Sequence, residues 1–233
     1  MYTMLTQDQA QKFALEAQTT VDNILKEHYQ MFLLDIFINA AFENNLVFKG
    51  GTALRLAYGS IRFSADLDFS LMNEIAFSEF NQAIKKIEKV IPGALILEEC
   101  FAKDMHDKNY SLYAKVNITV DYRPIPIGIK IEVNKHIRDF EPTIALIKSP
   151  FNNLEVVGRV YTLESILKDK IHILEDRERR EPRDLFDAWY ISQKLDRNLT
   201  IKDEYKYEPK ELMDSLNHFL PKNQRKVNEL FKK

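Results

Sequence analysis

Residues 62–71, RFSADLDFSL, alternate strictly between polar and apolar side chains, and this segment constrains the fold more than any other. Polar residues occupy the even positions and apolar residues the odd positions. A period of two is typical of a β-strand with one face buried and the other open to solvent. We therefore predict a half-buried strand over 62–71, whose polar face carries both Asp66 and Asp68.

Asp66 and Asp68 would lie about 7 Å apart on that face, where two unpaired carboxylates repel each other and weaken the strand. A divalent cation between them removes the repulsion. Mg²⁺ takes a few carboxylate oxygens and completes its octahedron with waters and substrate phosphates. The pattern therefore predicts a metal–nucleotide site. A solvent-facing polar row, with Arg62 nearby to offset the charge, is the alternative that the alternation leaves open.

The remaining periodicity predicts a mixed α/β part followed by a helical lobe, with a boundary near residue 160. A capping box at Thr6–Gln9 begins a helix that runs to about residue 29, and a second helix covers 31–44. We predict further strands over 46–51, 93–101, 111–122 and 126–135, and further helices over 52–59 and 77–90. The predicted domains are 1–160, an α/β core with N-terminal helices, and 161–233, a helical lobe that contributes to the site.

The segment KGGTAL, residues 49–54, places two glycines between a strand and a helix. Glycine lets the backbone approach a ligand closely, and free N–H groups at a helix start favour phosphate. Gly50, Gly51 and Thr52 are therefore candidate phosphate-binding residues. The alternative is an ordinary tight turn in which Thr52 is the N-cap.

Two further polar residues stand out in otherwise apolar patterns. Glu132 lies on the polar face of the strand IGIKIEVNK, where it would supply a third carboxylate if that face adjoins Asp66 and Asp68. A surface pair with Lys130 is the alternative. Lys170 falls on the apolar stripe of the helix TLESILKDKIHIL, so its side chain either extends to the surface or meets an anion.

Composition places limits on the partners and the compartment. The net charge of −2 does not indicate a nucleic-acid-binding protein, although a local basic patch remains open. Arginines at 177–183 and the basic C-terminal segment are candidates, or else solvated faces. One cysteine excludes an internal disulfide framework and fits a reducing cytoplasm. The start of the chain lacks the pattern of a signal peptide, and the most apolar stretch is too short to span a bilayer. We expect a cytoplasmic protein with no membrane partner.

Taken together, these segments resemble the AbiEii/AbiGii branch of the nucleotidyltransferase superfamily, which comprises toxins of bacterial toxin–antitoxin and phage-defence loci. Three segments carry the resemblance: FKGGTALRLAYGSIRFSADLDFSL, IKIEVNK and LKDKIHILEDRERREPRDLFDAWYI. The resemblance implies a mixed β-sheet flanked by helices, with a C-terminal helical lobe. Thr52 departs from the serine that is often found at its position, but the hydroxyl is kept.

The resemblance also implies a role for each matching residue. Phosphates of the nucleotide would be held by Gly50, Gly51 and Thr52. Mg²⁺, or Mn²⁺, would be bound by Asp66, Asp68 and, as the loosest match, Glu132. Lys170 would contact the triphosphate, and Asp184 would complete the catalytic set.

The residues around Asp184 leave a choice. Asp184 follows Pro182 in the first turn of a predicted helix, where a carboxylate also stabilises the helix dipole. Asp187 lies one turn further along, and an ion pair with Arg183 would account for it. We rank Asp184 above Asp187 as the downstream acid of the site, without excluding Asp187.

The implied activity is magnesium-dependent transfer of a nucleoside monophosphate from an NTP to an acceptor. The resemblance indicates RNA as the acceptor, at the 3′ end of tRNA, and growth arrest as the outcome. It also implies a cognate antitoxin, which need not bind the toxin directly. A small-molecule or protein acceptor, transfer of the γ-phosphate alone, and nucleotide binding without turnover are the alternatives.

Overall fold

The computed structural model describes residues 3–42, 45–91, 94–105, 108–135, 140–176, 178 and 180–233. Within these residues, seven strands form one mixed sheet. The strands are β1 Leu46–Lys49, β2 Leu67–Leu71, β3 Ala94–Met105, β4 Lys108–Ile118, β5 Ile127–Asn134, β6 Pro142–Lys148 and β7 Glu155–Tyr161. Their order across the sheet is β3-β4-β5-β2-β1-β7-β6.

The centre of the sheet is where the chain brings its sequence-distant strands together. β2 pairs with β1 in the antiparallel direction and with β5 in the parallel direction. β7 joins the other side of β1 as a parallel strand. Two antiparallel pairs, β3–β4 and β6–β7, form the two edges of the sheet, and β4 joins β5. β2 therefore lies between two neighbours that can each add a side chain beside its own.

Six longer helices cover the two faces of the sheet. They are α1 Gln7–Glu16, α2 Val21–Asp35, α3 Gly50–Leu56, α4 Phe77–Val90, α5 Leu163–Glu175 and α6 Pro182–Lys194. A π-helical turn, Ile36–Ala41, extends α2, and short helical turns follow α6. No helix among the described residues has the length and apolar character that crossing a membrane requires.

Each face of the sheet has its own hydrophobic core. The odd-numbered residues of β2 and β5, such as Leu67, Phe69 and Ile131, face the core built with α1, α2 and α4. Their even-numbered neighbours face the opposite side, where α5, α6 and the C-terminal turns form a second core with Val47 and Tyr161. The alternation in β2 thus separates an apolar layer from a polar layer that the second core covers only in part. The predicted domain boundary near residue 160 stays a prediction.

The predicted strand over 62–71 is wrong in its first half, because β2 begins only at Leu67. Tertiary hydrogen bonds occupy the preceding segment instead. The Phe63 N–H donates to the carbonyl of Phe219, the Ser64 carbonyl accepts from Gln30, and the Arg62 guanidinium binds a carboxylate of α6. The polar side chain of Arg62 is in fact 3% exposed. The side chains on both sides of this segment are buried or partly buried, and its backbone does not form strand hydrogen bonds.

The helical and strand boundaries differ in other places. The break between the first two helices lies at residues 17–20, where Thr20 caps α2, so α2 includes residues that we assigned to two helices. On α5, Lys170 is partly buried, as its place on the apolar stripe predicts, whereas the adjacent Ile171 is exposed. Strands β6 and β7 were not predicted. Arg177 and Arg179 lie outside the described residues.

Candidate nucleotidyl-transfer site

The candidate site begins at the corner between β1 and α3. Lys49 ends β1, and Gly50 follows with a φ of 77°, a left-handed conformation that glycine adopts without strain. A Cβ on Gly50 would lie 2.5 Å from Oδ2 of Asp68. The missing side chain is therefore what allows the backbone corner to lie against this carboxylate.

Three charged residues stand side by side on adjacent strands at this corner. Lys49 pairs with Asp68 across β1 and β2, and Asp68 pairs with Glu132 across β2 and β5. Side chains of directly paired residues project from the same face of a sheet. The structure thus brings Glu132 beside Asp68, as the sequence predicts, and it adds Lys49, which the sequence analysis missed. Its position at the end of a strand, just before two glycines, was the available signal.

Asp66 lies one residue before β2, in the segment that leads into the strand. The Thr52 hydroxyl donates a hydrogen bond to the Asp66 carbonyl. Thr52 is 1% exposed and lies within α3, whose N-cap is Lys49. The structure therefore does not place Thr52 at the helix N-cap, and its hydroxyl positions the backbone of Asp66. Its predicted contact with nucleotide phosphates stays a prediction.

A cavity of about 300 Å³ opens above this row of charges. Gly50, Gly51, Asp68, Glu132 and Lys170 all line it. Further lining comes from residues that the sequence analysis did not select, namely Lys49, Asn134, Tyr161, Asp169 and His172. Larger cavities, of about 380, 470, 550 and 690 Å³, are each lined by at most two carboxylates of the described residues, whereas this one is lined by three. The cavity at the glycine corner is therefore the candidate site for a reaction that requires several charged groups.

The carboxylates of this site are only partly compensated by positive charge. Burial, followed by the charge of Asp66, raises the pKa of Asp68 from 3.8 to about 6. Glu132 adds to the rise, whereas Lys49 and Lys170 oppose it. Each of these charges is therefore close enough to influence Asp68. Such a raised pKa marks a place where an additional cation would be favourable.

Lys170 reaches the cavity from α5 and belongs to a second, balanced group of charges. Its Nζ lies 2.7 Å from Asp184 Oδ1 and 2.9 Å from Asp187 Oδ2. Burial alone would lower the pKa of Lys170, but Asp187 and Asp184 outweigh that effect and raise it. Lys170 is therefore a fixed ammonium, held in place by two carboxylates of α6.

Asp187 is the most buried member of this group, with no exposed surface. Its two oxygens accept from Nε and Nη2 of Arg62 at 2.8 and 2.7 Å. Burial favours the neutral acid, but Arg62 and Lys170 outweigh it and hold the pKa of Asp187 below its ordinary value. The expected partner, Arg183, instead binds Glu181. Sequence spacing could not reveal a pairing with a residue 125 positions away.

Asp184 lies at the start of α6 and does not line the cavity. One oxygen binds Lys170, and the other accepts a hydrogen bond from the Glu181 backbone N–H at 3.0 Å. Asp184 therefore makes both of the contacts that the sequence suggests. It stabilises the start of the helix, and it binds Lys170 of the site. The choice between Asp184 and Asp187 as the functional acid stays open.

The packing around Gly51 links the two groups of charges. A Cβ at Gly51 would overlap Nη2 of Arg62 and approach Ser64 Oγ. The guanidinium that binds Asp187 therefore lies directly behind the glycine corner. Gly50 leaves room for Asp68, and Gly51 leaves room for Arg62, so a larger residue is excluded at each position by a different neighbour.

A family model described as the nucleotidyl transferase AbiEii toxin of type IV toxin–antitoxin systems matches residues 32–228, which include every residue of the candidate site. The chain belongs to the AbiEii family. This confirms the resemblance seen in the sequence. Membership of the AbiEii family also implies a cognate antitoxin.

Solved structures confirm the nucleotidyltransferase-like fold. JHP933 from Helicobacter pylori superposes with a TM-score of 0.51 at 22% identity, over 73% of this chain and 66% of JHP933. A "putative nucleotidyltransferase" from H. pylori superposes with a TM-score of 0.51 at 23% identity, over 72% of this chain and 68% of that one. This AbiEii-family chain thus spans about two thirds of each. No relative among the curated proteins matches it.

Proposed function

We propose that this chain is a magnesium-dependent nucleotidyltransferase that moves a nucleoside monophosphate from an NTP to the 3′ end of an RNA, with tRNA as the acceptor. It would act in the cytoplasm as the toxin of a toxin–antitoxin pair used in phage defence. The observation that carries the proposal is the alignment of Lys49, Asp68 and Glu132 over three adjacent strands, at the mouth of a cavity with a glycine corner.

The donor set fits a hard divalent cation. Burial, together with the charges of Asp66 and Glu132, raises the pKa of Asp68 despite the opposing ammonium groups of Lys49 and Lys170, so three carboxylates meet there with incomplete compensation. Among the described residues, no three acidic, histidine or cysteine side chains are grouped closely enough to hold a metal by themselves. Asp66 and Asp68, with Glu132 as a third ligand, would therefore hold Mg²⁺ or Mn²⁺ together with phosphate oxygens of the NTP. Bound there, the ion would withdraw charge from the phosphates.

The two glycines and Lys170 have proposed parts in the reaction. The backbone of Gly50 and Gly51 would lie against the triphosphate, because both glycines line the cavity at the start of α3, where free N–H groups favour phosphate. Lys170 faces the phosphates as a fixed positive charge and stabilises the charge that develops on the departing pyrophosphate. Asp184 and Asp187 keep its ammonium in place.

The transfer itself forms one bond and breaks another. The 3′ hydroxyl oxygen of the acceptor attacks the α-phosphorus of the NTP, and the bond from that phosphorus to the α–β bridging oxygen breaks. Pyrophosphate leaves with the bonding electrons. The hydroxyl proton passes to the Glu132 carboxylate, which lies on the side of Asp68 away from the glycine corner.

We propose that this chain has a cognate antitoxin, which need not bind it directly. Co-purification of the two proteins from the native locus distinguishes the two modes: a stable complex indicates direct binding, and its absence indicates an antitoxin that acts without contact.

The activity is tested by incubating the protein with each α-³²P-labelled NTP, Mg²⁺ and total tRNA. We expect a labelled RNA from one or more of the NTPs, with release of pyrophosphate, and no labelling in EDTA. Asp68→Asn is expected to abolish labelling, and the exposed Asp214→Asn provides a matched control with full labelling.

Other outcomes would point elsewhere. Label on a protein or a small molecule, but not on RNA, would identify that molecule as the acceptor in place of RNA. Transfer from γ-labelled NTP would indicate a kinase. Magnesium-dependent NTP binding in calorimetry without any pyrophosphate release would indicate a binding protein. Equal labelling by the wild type and Asp68→Asn would refute the assigned site.

A further inference from the structure

Two lysines lie directly opposite each other on the polar face of the sheet, close to Glu132. Lys115 of β4 pairs with Lys130 of β5. Like charges in direct cross-strand register destabilise a sheet. Among the described residues, neither ammonium has a carboxylate within ion-pair distance, although Glu132 lies two positions along β5 from Lys130. The expected Lys130–Glu132 surface pair is thus not formed within this part of the chain.

The next pair on the same face adds a second polar side chain. Asn117 pairs with Gly128, and a Cβ built on Gly128 would lie 3.3 Å from Asn117 Oδ1 and 3.4 Å from Lys115 Cε. Asn117 is 7% exposed, and its Nδ2 has no hydrogen-bond partner in the described structure. A buried amide donor without a partner is costly, so this stretch of β4 and β5 holds unfavourable polar groups besides the two lysines.

Several basic groups of the two regions singled out in the sequence are engaged within the protein. The guanidinium of Arg180 lies 5.8 Å from the centre of the Tyr205 ring, and Arg183 binds Glu181. Arg225 donates to the Asn217 carbonyl, and Lys233 pairs with Glu208. Lys130 is exposed and Lys115 is half-buried, and both lie beside Glu132 on the same face of the sheet. The β4–β5 surface is therefore a basic surface that adjoins the acceptor side of the candidate site.

The position of the lysines fits a single-stranded acceptor. Two residues along β5 span roughly 6.6 Å, which is comparable with the length of one nucleotide. A terminal hydroxyl at Glu132 would thus place the preceding phosphate near Lys130 and Lys115.

We propose that Lys115 and Lys130 bind the phosphate backbone of the RNA acceptor just upstream of its reacting end. This inference rests on the proposed function, because it assigns the acceptor side of the same site. It also reconciles RNA binding with a net charge of −2, since the positive charge is local. The lysines contact the backbone, so the surface contributes affinity and orientation rather than base selectivity.

The experiment measures binding of a 5′-fluorescein, 12-nucleotide single-stranded RNA by anisotropy, in EDTA and without NTP, over a range of salt concentrations. Removing two phosphate contacts with Lys115→Gln/Lys130→Gln is expected to reduce the slope of log affinity against log salt by about 1.4. Lys115→Arg/Lys130→Arg is expected to retain the wild-type slope. Lys148→Gln is the matched control, because Lys148 is an exposed strand lysine that pairs with Glu155 at the far edge of the sheet.

An unchanged slope in the double glutamine variant, or an equal change in Lys148→Gln, would overturn the inference. Calorimetry with Mg²⁺ and a non-hydrolysable NTP provides the second readout, in which the double variant is expected to match the wild type within about twofold. Weakened NTP binding with intact RNA binding would reassign the lysines to the triphosphate. If RNA binding depends on the lysines but no nucleotidyl transfer is detected, the RNA-binding surface would be supported and the proposed enzymatic activity would be refuted.

Discussion

Asp68→Asn is expected to make the protein more stable at alkaline pH while it removes the proposed activity. In the folded protein, burial and the neighbouring acids raise the pKa of Asp68 from 3.8 to about 6. The folded state therefore binds its proton more tightly than the unfolded state, and the free energy of unfolding falls as the pH rises between those values. Asparagine has nearly the same shape but never ionises.

The size of the effect follows from the shift. A difference of about 2.2 pKa units corresponds to about 3 kcal/mol, an upper bound because the side chain is only partly buried. The variant is thus expected to gain up to about 3 kcal/mol over the wild type at pH 8, and about half of that at pH 5. Urea denaturation in EDTA at both pH values measures the two differences.

Magnesium provides the second arm of the same experiment. Binding to the folded state stabilises the wild type by mass action, so Mg²⁺ is expected to raise its midpoint in urea and to leave Asp68→Asn unchanged. Asp214→Asn is the matched control, for which no gain is expected at either pH. A variant that is no more stable than the wild type at pH 8, or equally more stable at both pH values, would refute the electrostatic account of this site.

Three further predictions concern the glycine corner and the charges behind it. Gly50→Ala introduces a Cβ 2.5 Å from Asp68 Oδ2 at a positive φ, so we expect at least about 1–2 kcal/mol of destabilisation and loss of transfer, measured by urea denaturation and labelling. Asp187→Ala leaves the buried Arg62 guanidinium without its anion, so the free energy of unfolding in urea is expected to fall by about 3–5 kcal/mol. Asp184→Ala is expected to lower it by less, because Asp184 is less buried than Asp187. Because protonated Asp68 cannot bind a cation, the apparent affinity for Mg²⁺ is expected to fall as the pH drops below about 6, and a pH-independent affinity in calorimetry would contradict it.

The sequence predicted the parts of this fold that local patterns determine. The amphipathic helix over 77–90 and the alternating strand that became β5 match the structure closely, because one face of each is buried and the other is not. β6 and β7 escaped prediction. β6 is an edge strand that exposes most of its residues, so its burial pattern carries little period-two signal.

The site residues divide in the same way, into those that local sequence patterns predict and those that depend on tertiary contacts. The glycines and Asp68 could be selected from the motif, and their placement at one cavity with Glu132 follows from the parallel pairing of β2 with β5. The partner of Asp187 could not be predicted, because no local rule brings residue 62 to residue 187. Arg62 looked like a surface residue in the alternation, whereas its burial depends entirely on a carboxylate supplied by a distant helix.

The bond between Arg62 and Asp187 has a consequence for how the protein is made. A nascent chain that has been synthesised only through α5 already contains the three acids of the sheet and Lys170, yet it lacks the anion that holds both basic groups. Arg62 then has no buried position to adopt, and the glycine corner has no packing behind it. Translation must therefore pass α6 before the charges of Arg62 and Lys170 can both be neutralised, so the packing behind the glycine corner forms late in synthesis.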